Sequence, residues 1–314
     1  MLLVMGRISV ATADGRAQRG SRRWYRLSGM VLVVISAASF GALPLFARIA
    51  YAAGSDPQTV LLVRFALASA ILCVAMATSG AAVPRGRTLL GLILLGAVGN
   101  VGQALSYYTA LTLASVSLVA LLLYLYPALV HALSALVLGE PLHRHQVAAL
   151  ALALGGAVLT VGRVGSGRPL GIVLALTSAL IYSGYIVASS RLTARVPVLP
   201  ATTTVTMSAG TVFALLSLVH HPALPTTAGG WGAMVAIAVL GSLVGLMTFF
   251  WGLRRVGPST AATLSTIEPA VAVGLAVWAL GERLSLSQGA GAILILAALL
   301  VLARHQGRSP VQQD

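Results

Sequence analysis

Residues 124–142 read YLYPALVHALSALVLGEPL, and residues 266–284 read TIEPAVAVGLAVWALGERL. Each stretch sets a proline, Pro127 or Pro269, inside an apolar run and closes thirteen residues later on Glu140 or Glu282 in a Leu-Gly-Glu end signal. The separation is 142 residues for both landmarks, since 269 − 127 and 282 − 140 agree. Carried outward without gaps, the same offset pairs Gly29 with Gly171, Ser36 with Ser178, Phe40 with Tyr182, Gly99 with Gly241, Tyr107 with Phe249 and Gln146 with Gln288. From Ser115 to Gln146 about a third of positions match their partners, which is repeat-level self-similarity. The chain therefore reads as two copies of one unit.

What surrounds these stretches says where the unit sits. Of 314 residues 58% are apolar and 8% charged, against roughly a quarter charged in a soluble domain. Runs of about 20 apolar residues cross ~30 Å of hydrocarbon. On that rule the spans are 28–49, 59–78, 88–110, 114–138, 145–162, 169–190, 201–219, 231–253, 258–281 and 287–303, joined by short loops rich in Gly and Pro. The expected fold class is an all-α integral membrane protein of ten transmembrane helices in two five-helix repeats. Its parts are a basic tail at 1–27, a first repeat at 28–163, a second at 169–303 and a short tail at 304–314.

The net charge of +14 would suggest nucleic acid in a soluble protein, but all twenty basic residues are Arg and nearly all flank apolar runs. With the N-terminus cytoplasmic, fifteen of them lie on inner segments and four on outer ones, the positive-inside pattern with both termini inside. Trp24 and Tyr25 then belong at the headgroups, as do Tyr108, Trp231 and Trp251. No nucleic-acid partner is expected; the partners are the bilayer and a small-molecule substrate.

A unit with an odd number of spans ends on the side opposite its start, so the second copy enters the membrane upside down. Inverted repeats recur in secondary transporters, where two similar halves expose a midplane site to each side in turn. Pro127 and Pro269 fall ~16–20 Å along their helices, near the midplane. A helix-interior proline leaves carbonyls without partners, so both are hinge candidates.

At this point the residues resemble a family. Glu268-Pro269-Ala270-Val271, Leu280-Gly281-Glu282-Arg283-Leu284 and Gln288-Gly289 in the second copy are similar to the EamA group of the drug/metabolite transporter superfamily. So are Tyr126-Pro127-Ala128, Leu138-Gly139-Glu140-Pro141-Leu142 and Arg64-Phe65 in the first. The resemblance runs from about Leu27 to Ala303 and implies a ten-span inner-membrane carrier, often an exporter of amino acids or other small metabolites. Tyr126 stands where the second copy has Glu268, a departure that weakens any equivalence of the halves toward substrate.

Candidate pathway residues follow from depth and chemistry. Glu268 is the one acidic residue well inside a span, and a charge there costs at least ~2.5–3.5 kcal/mol unless it faces a cavity or partner. It is a site for a proton or a substrate amine, or a structural bond beside Pro269. Arg64 either snorkels to headgroups or holds a substrate carboxylate through two parallel bonds. Tyr124, Tyr126 and His131 surround Pro127. Asn100, Gln103 and Tyr107 share a face of the third span, and either line water or bond a neighbouring helix. Phe40 and Tyr182 pair through the repeat near mid-membrane.

Enzymatic chemistry finds little to work with. Lys is absent, which removes the P-loop lysine, and the lone Cys73 forms no internal disulfide. A bilayer hydrolase or transferase needs a nucleophile with its base, or several acidic metal ligands. The clusters Glu140, His143, His145 and His220-His221 lack committed metal spacing. The expectation is a transporter with no cofactor and no metal; a membrane enzyme, a channel or a scaffold is the alternative.

Overall fold

In hydrocarbon every backbone N–H and C=O needs a partner inside the protein. The computed structural model describes residues 2–138, 143–161, 168–192, 196–256, 264–265 and 267–306, and its described elements are all helical. They are α1 (Leu2–Ala52), α2 (Pro57–Ser79), α3 (Gly86–Leu94), α4 (Val101–Leu113), α5 (Val116–Leu123), α6 (Tyr126–Leu138), α7 (Arg144–Val161), α8 (Pro169–Leu192), α9 (Val198–Val219), α10 (Ala228–Ala238), α11 (Leu246–Val256), α12 (Ile267–Leu280) and α13 (Leu286–Gln306). The π-helical turns Leu95–Asn100 and Val239–Gly245 run α3 into α4 and α10 into α11.

Six stretches among the described residues are long and apolar enough to cross a membrane: Trp24–Ala52, Pro57–Ser79, Gly86–Leu113, Val116–Val137, Pro169–Ser189 and Val198–Val219. Shorter apolar helices cover Ala228–Gly241, Ile267–Leu280 and Leu286–Leu302. Its described residues are those of an all-helical membrane protein. The basic segment expected as a separate tail continues α1 back to Leu2.

Local chemistry fixes the helix ends. Asp56 caps α2, its carboxylate accepting from the Thr59 N–H at 3.0 Å, and Pro57 supplies a first residue that needs no donor. Ser115 caps α5. Ser285 and Gln288 form a reciprocal capping box on α13: the Gln288 side chain accepts from the Ser285 N–H at 2.9 Å, and the Ser285 hydroxyl accepts from the Gln288 N–H at 3.2 Å. The repeat-equivalent Gln146 accepts from the His143 N–H at 2.8 Å ahead of α7.

The Leu-Gly-Glu signal has a physical reading in the second copy. Gly281 takes φ +66°, which a side chain disfavours, and this turn swings Glu282 back over the start of α5. There its carboxylate accepts from the N–H groups of Val116 at 2.6 Å and Ser117 at 2.9 Å, an anion on a positive helix end. Glu140 lies outside the described residues.

The prolines do not kink unbroken helices, as the sequence suggested. The fourth rod is already interrupted at Tyr124–Leu125, and Pro127 is the second residue of the helix that restarts at Tyr126. Pro269 is likewise the third residue of α12. A proline in a first turn removes no helical bond, so each marks where its helix begins.

Packing follows the repeat offset. α1 packs on α11 and α12 as α8 packs on α4 and α6, while α2 lies on α9 and α7 on α13. The Ser36 hydroxyl donates to the Gly245 carbonyl at 2.7 Å, and the Ser178 hydroxyl donates to the Gln103 carbonyl at 3.1 Å. Donors and acceptors of these two bonds are each 142 residues apart. A Cβ on Gly29 would lie 2.5 Å from Arg255 Cβ, and one on Gly171 would lie 2.9 Å from Leu113 Cβ. That is one close helix crossing, present twice.

Candidate functional site

A cavity of about 920 Å³ lies between the helices, at the upper end of the ~300–1,000 Å³ usual for small-molecule sites. Its wall takes Phe40 and Pro44 from α1, Arg64 from α2, Asn100, Gln103 and Tyr107 from the third rod, and Tyr124, Tyr126, Pro127 and His131 from the fourth. Tyr182 comes from α8 and Glu268 from α12. All ten side chains singled out from sequence as pathway candidates thus border one space. Pro127 joins them, whereas Pro269 is buried and does not line it.

Glu268 enters at the first turn of α12, where the opening of the helix aims it inward. Tyr107, Tyr124, Tyr126 and Tyr182 border the same space as its carboxylate. The rings form a connected wall: Tyr126 and Tyr182 meet edge to face at 4.7 Å, Tyr182 stacks on Tyr185 at 6.0 Å, and Tyr124 tilts against Tyr126 at 6.3 Å. Such pairs prefer offset and edge contacts, so the wall is a packed surface.

Arg64 stands in the cavity wall instead of snorkelling to a surface. Its Nη1 donates to the Tyr108 hydroxyl at 3.0 Å, and its guanidinium lies 5.6 Å and 5.9 Å from the ring centres of Phe65 and Tyr108, inside cation–π range. Its Nε is buried without a hydrogen-bond partner. Among the described residues no ion pair within 4 Å joins Arg64 to Glu268, so they do not neutralise each other directly. The cavity holds a guanidinium with a donor to spare and a carboxylate that shares its wall with four tyrosines.

Gln103 both lines the space and joins helices, whereas Gln146 lies outside the wall and reaches a residue that lines it. Gln103 Nε2 donates to Ser178 Oγ at 3.1 Å, and Gln146 Nε2 lies 3.0 Å from His131 Nδ1. His143 and His145 stack on each other at 5.5 Å, and no metal-binding group of three was found among the described residues.

Sequence reasoning missed several wall residues. Tyr108, expected at a membrane interface, is 2% exposed and orients Arg64, while Trp231 and Trp251 are exposed at 43% and 52%. Tyr185 stands one turn beyond Tyr182, and Pro44 sits inside α1. Thr206 was findable, since it is the repeat partner of Arg64.

A family model for EamA-like transporters matches residues 27–162 and again residues 169–304. The chain belongs to this family. It is 30% identical over 290 residues to an uncharacterized transporter of Archaeoglobus fulgidus, covering 90% of this chain and 99% of that protein. It is 29% identical over 214 residues to the aromatic amino acid exporter YddG of Ancylobacter novellus, covering 66% of this chain and 71% of the exporter. A solved crystal structure shares the fold at a TM-score of 0.63 and 24% identity, over 90% of this chain and 99% of that one. As an EamA-family member the chain is a membrane protein whose named relatives are transporters.

Proposed function

We infer that this EamA-family protein is a secondary transporter that moves a small zwitterionic metabolite of the amino-acid type, as an exporter, by alternating access across the inner membrane. The observation that carries the reading is the placement of Arg64 and Glu268. One charge comes from each copy, both face one cavity, and neither compensates the other within salt-bridge distance. A substrate carboxylate suits the forked guanidinium, and an ammonium suits the carboxylate and the tyrosine hydroxyls around it. Cargo carrying both groups would join the two halves, giving a binding energy that depends on their relative position. Glu268 would alternatively carry a coupled proton.

The architecture proposed is two inverted five-helix copies at 28–163 and 169–303, with both termini cytoplasmic. Its support is the paired hydrogen bonds of Ser36 and Ser178, the paired crossings at Gly29 and Gly171, and the doubled family match. The charges break this symmetry. Glu268 is matched by Tyr126 and Arg64 by Thr206, so the substrate has one preferred orientation. The exporter YddG handles aromatic amino acids by its name, and the tyrosine wall suits an aromatic side chain here.

Counterflow in proteoliposomes tests the proposal. Unlabelled phenylalanine inside should drive accumulation of labelled phenylalanine, then other amino acids tried in turn. Arg64→Lys keeps the charge but loses the fork and should weaken apparent affinity by at least about tenfold, a loss of ~1.4 kcal/mol. Glu268→Gln should abolish exchange or its pH dependence. Unchanged exchange in both variants refutes the charge assignment, and no counterflow with any amino acid refutes the substrate class.

A further inference from the structure

The wall of the cavity is lopsided along the helices. Of α9, which starts at Val198, the lining residues are Ala201, Thr202, Val205 and Thr206; of α8, which ends at Leu192, they are Tyr182, Tyr185, Ile186 and Ser189. The space therefore extends from the middle toward the end where α8 finishes and α9 begins. Toward the other end, the face carrying residues 53–59 and 220–227, these helices contribute no lining.

That face is tied across the two halves by hydrogen bonds centred on one side chain. Asp56 Oδ2 accepts from the Ala223 N–H at 3.1 Å and from the Thr59 hydroxyl at 2.7 Å, and the Thr59 oxygen accepts from the same Ala223 N–H at 2.9 Å. His220 Nε2 lies 3.8 Å from Asp56 Oδ1. Beside them the Thr226 N–H and hydroxyl both donate to the Ala53 carbonyl, at 2.9 Å and 3.0 Å. Gly230 packs so tightly beneath that a Cβ there would collide with Ala53 and Pro225. At the far end, Arg255 Nη1 donates to Ser28 Oγ at 2.9 Å, which joins α1 to α11.

We propose that Asp56 is the latch of a gate on this face, holding the loop after α9 to the start of α2, and that its bonds to Ala223 and Thr59 must part before the cavity opens there. This rests on the transport reading above. The latch is built for reversal. Its partners are backbone amides, hydroxyls and a half-exposed imidazole, all of which water can replace. Asp56 keeps its capping bond to the Thr59 N–H whether or not Ala223 departs, so opening does not unravel α2.

Access labelling tests this without a known substrate. In a Cys73→Ala background, Thr206→Cys puts a single thiol in the cavity wall, and a charged thiosulfonate that does not cross membranes is added to either side of sealed vesicles. The thiol should react readily from the α8–α9 side and slowly from the latch side. Asp56→Ala should raise the latch-side rate at least about tenfold as the closed population falls, and Asp56→Asn, which still caps α2, should raise it less. Adding Ala53→Cys and Thr226→Cys to the Asp56→Ala chain and oxidising the pair should return the rate to its starting value. If Asp56→Ala does not fold, Thr59→Val supplies the same break with little change of shape. Latch-side rates unmoved by both breaks overturn the latch. A latch that responds in protein showing no counterflow overturns the transport reading instead.

Discussion

Gly41 packs directly on the backbone that carries Glu268. A Cβ at this position of α1 would stand 2.6 Å from the Glu268 carbonyl oxygen and 2.9 Å from Val271 Cβ. Ordinary separations are ~3.3–3.6 Å for a carbon against a carbonyl oxygen and ~3.5–4.0 Å between carbons. Gly41→Ala must therefore push the first turn of α12 away from α1 by roughly 0.7 Å at the oxygen, less whatever α1 itself yields. Neither neighbour is the free end of a flexible side chain, so relief has to come from the helices. Overpacking of this kind costs ~1–3 kcal/mol, and displacement approaching 1 Å at a positioned group can cost ~10²-fold in function. The expected result is a melting temperature several degrees lower in detergent and amino-acid counterflow reduced at least about tenfold, the second effect exceeding what the first explains. Ser183, the repeat equivalent in α8, is the control. Its hydroxyl donates to the Tyr126 carbonyl at 3.3 Å and to the Ala179 carbonyl at 2.7 Å, and Ser183→Ala should cost no more than ~1–2 kcal/mol. Gly41→Ala protein that melts within about a degree of the parent and exchanges substrate at the parental rate would refute the claim that this crossing positions Glu268.

Glu282→Ala strips the acceptor from two helix-end amides, Val116 and Ser117, and should destabilise by ~2–4 kcal/mol, read as a fall in melting temperature. Glu282→Gln keeps one acceptor and loses the charge, so about half that loss is expected; equal melting of all three proteins would dismiss the cap. Asp56 gives an acid dependence: burial raises its carboxyl, but the Thr59 hydroxyl and amide and the amides of Ala223 and Gln58 outweigh this and hold it below its usual range. A carboxyl lowered in the fold contributes stability above its unfolded value and loses it as pH falls through the folded one. The stability advantage over Asp56→Asn should thus be full at pH 6 and shrink below about pH 4, measured by melting across that window. A constant difference down to about pH 2 would refute it.

The sequence determined the class, the doubled unit and the two charged residues of the cavity wall. Length and apolar runs suffice for the first, because hydrocarbon admits few backbones. The constant 142-residue offset gave the second; it paired Tyr182 with Phe40, and applied to Arg64 it leads to Thr206. Charge at depth pointed to Glu268, since an acid in a span needs a reason. What sequence left undecided were choices among partners far apart along the chain. Whether Arg64 reached headgroups or the cavity turned on Tyr108, which stands 44 positions away and bonds its guanidinium. Pro127 proved to start a helix because α5 had already ended at Leu123, a break that no local signal marked. That Asp56 serves two halves depended on Ala223, 167 residues distant, brought near by the packing of α2 on α9. Periodicity and charge act locally and are written in the chain; the pairing of helix ends is settled only when all the helices compete for the same neighbours.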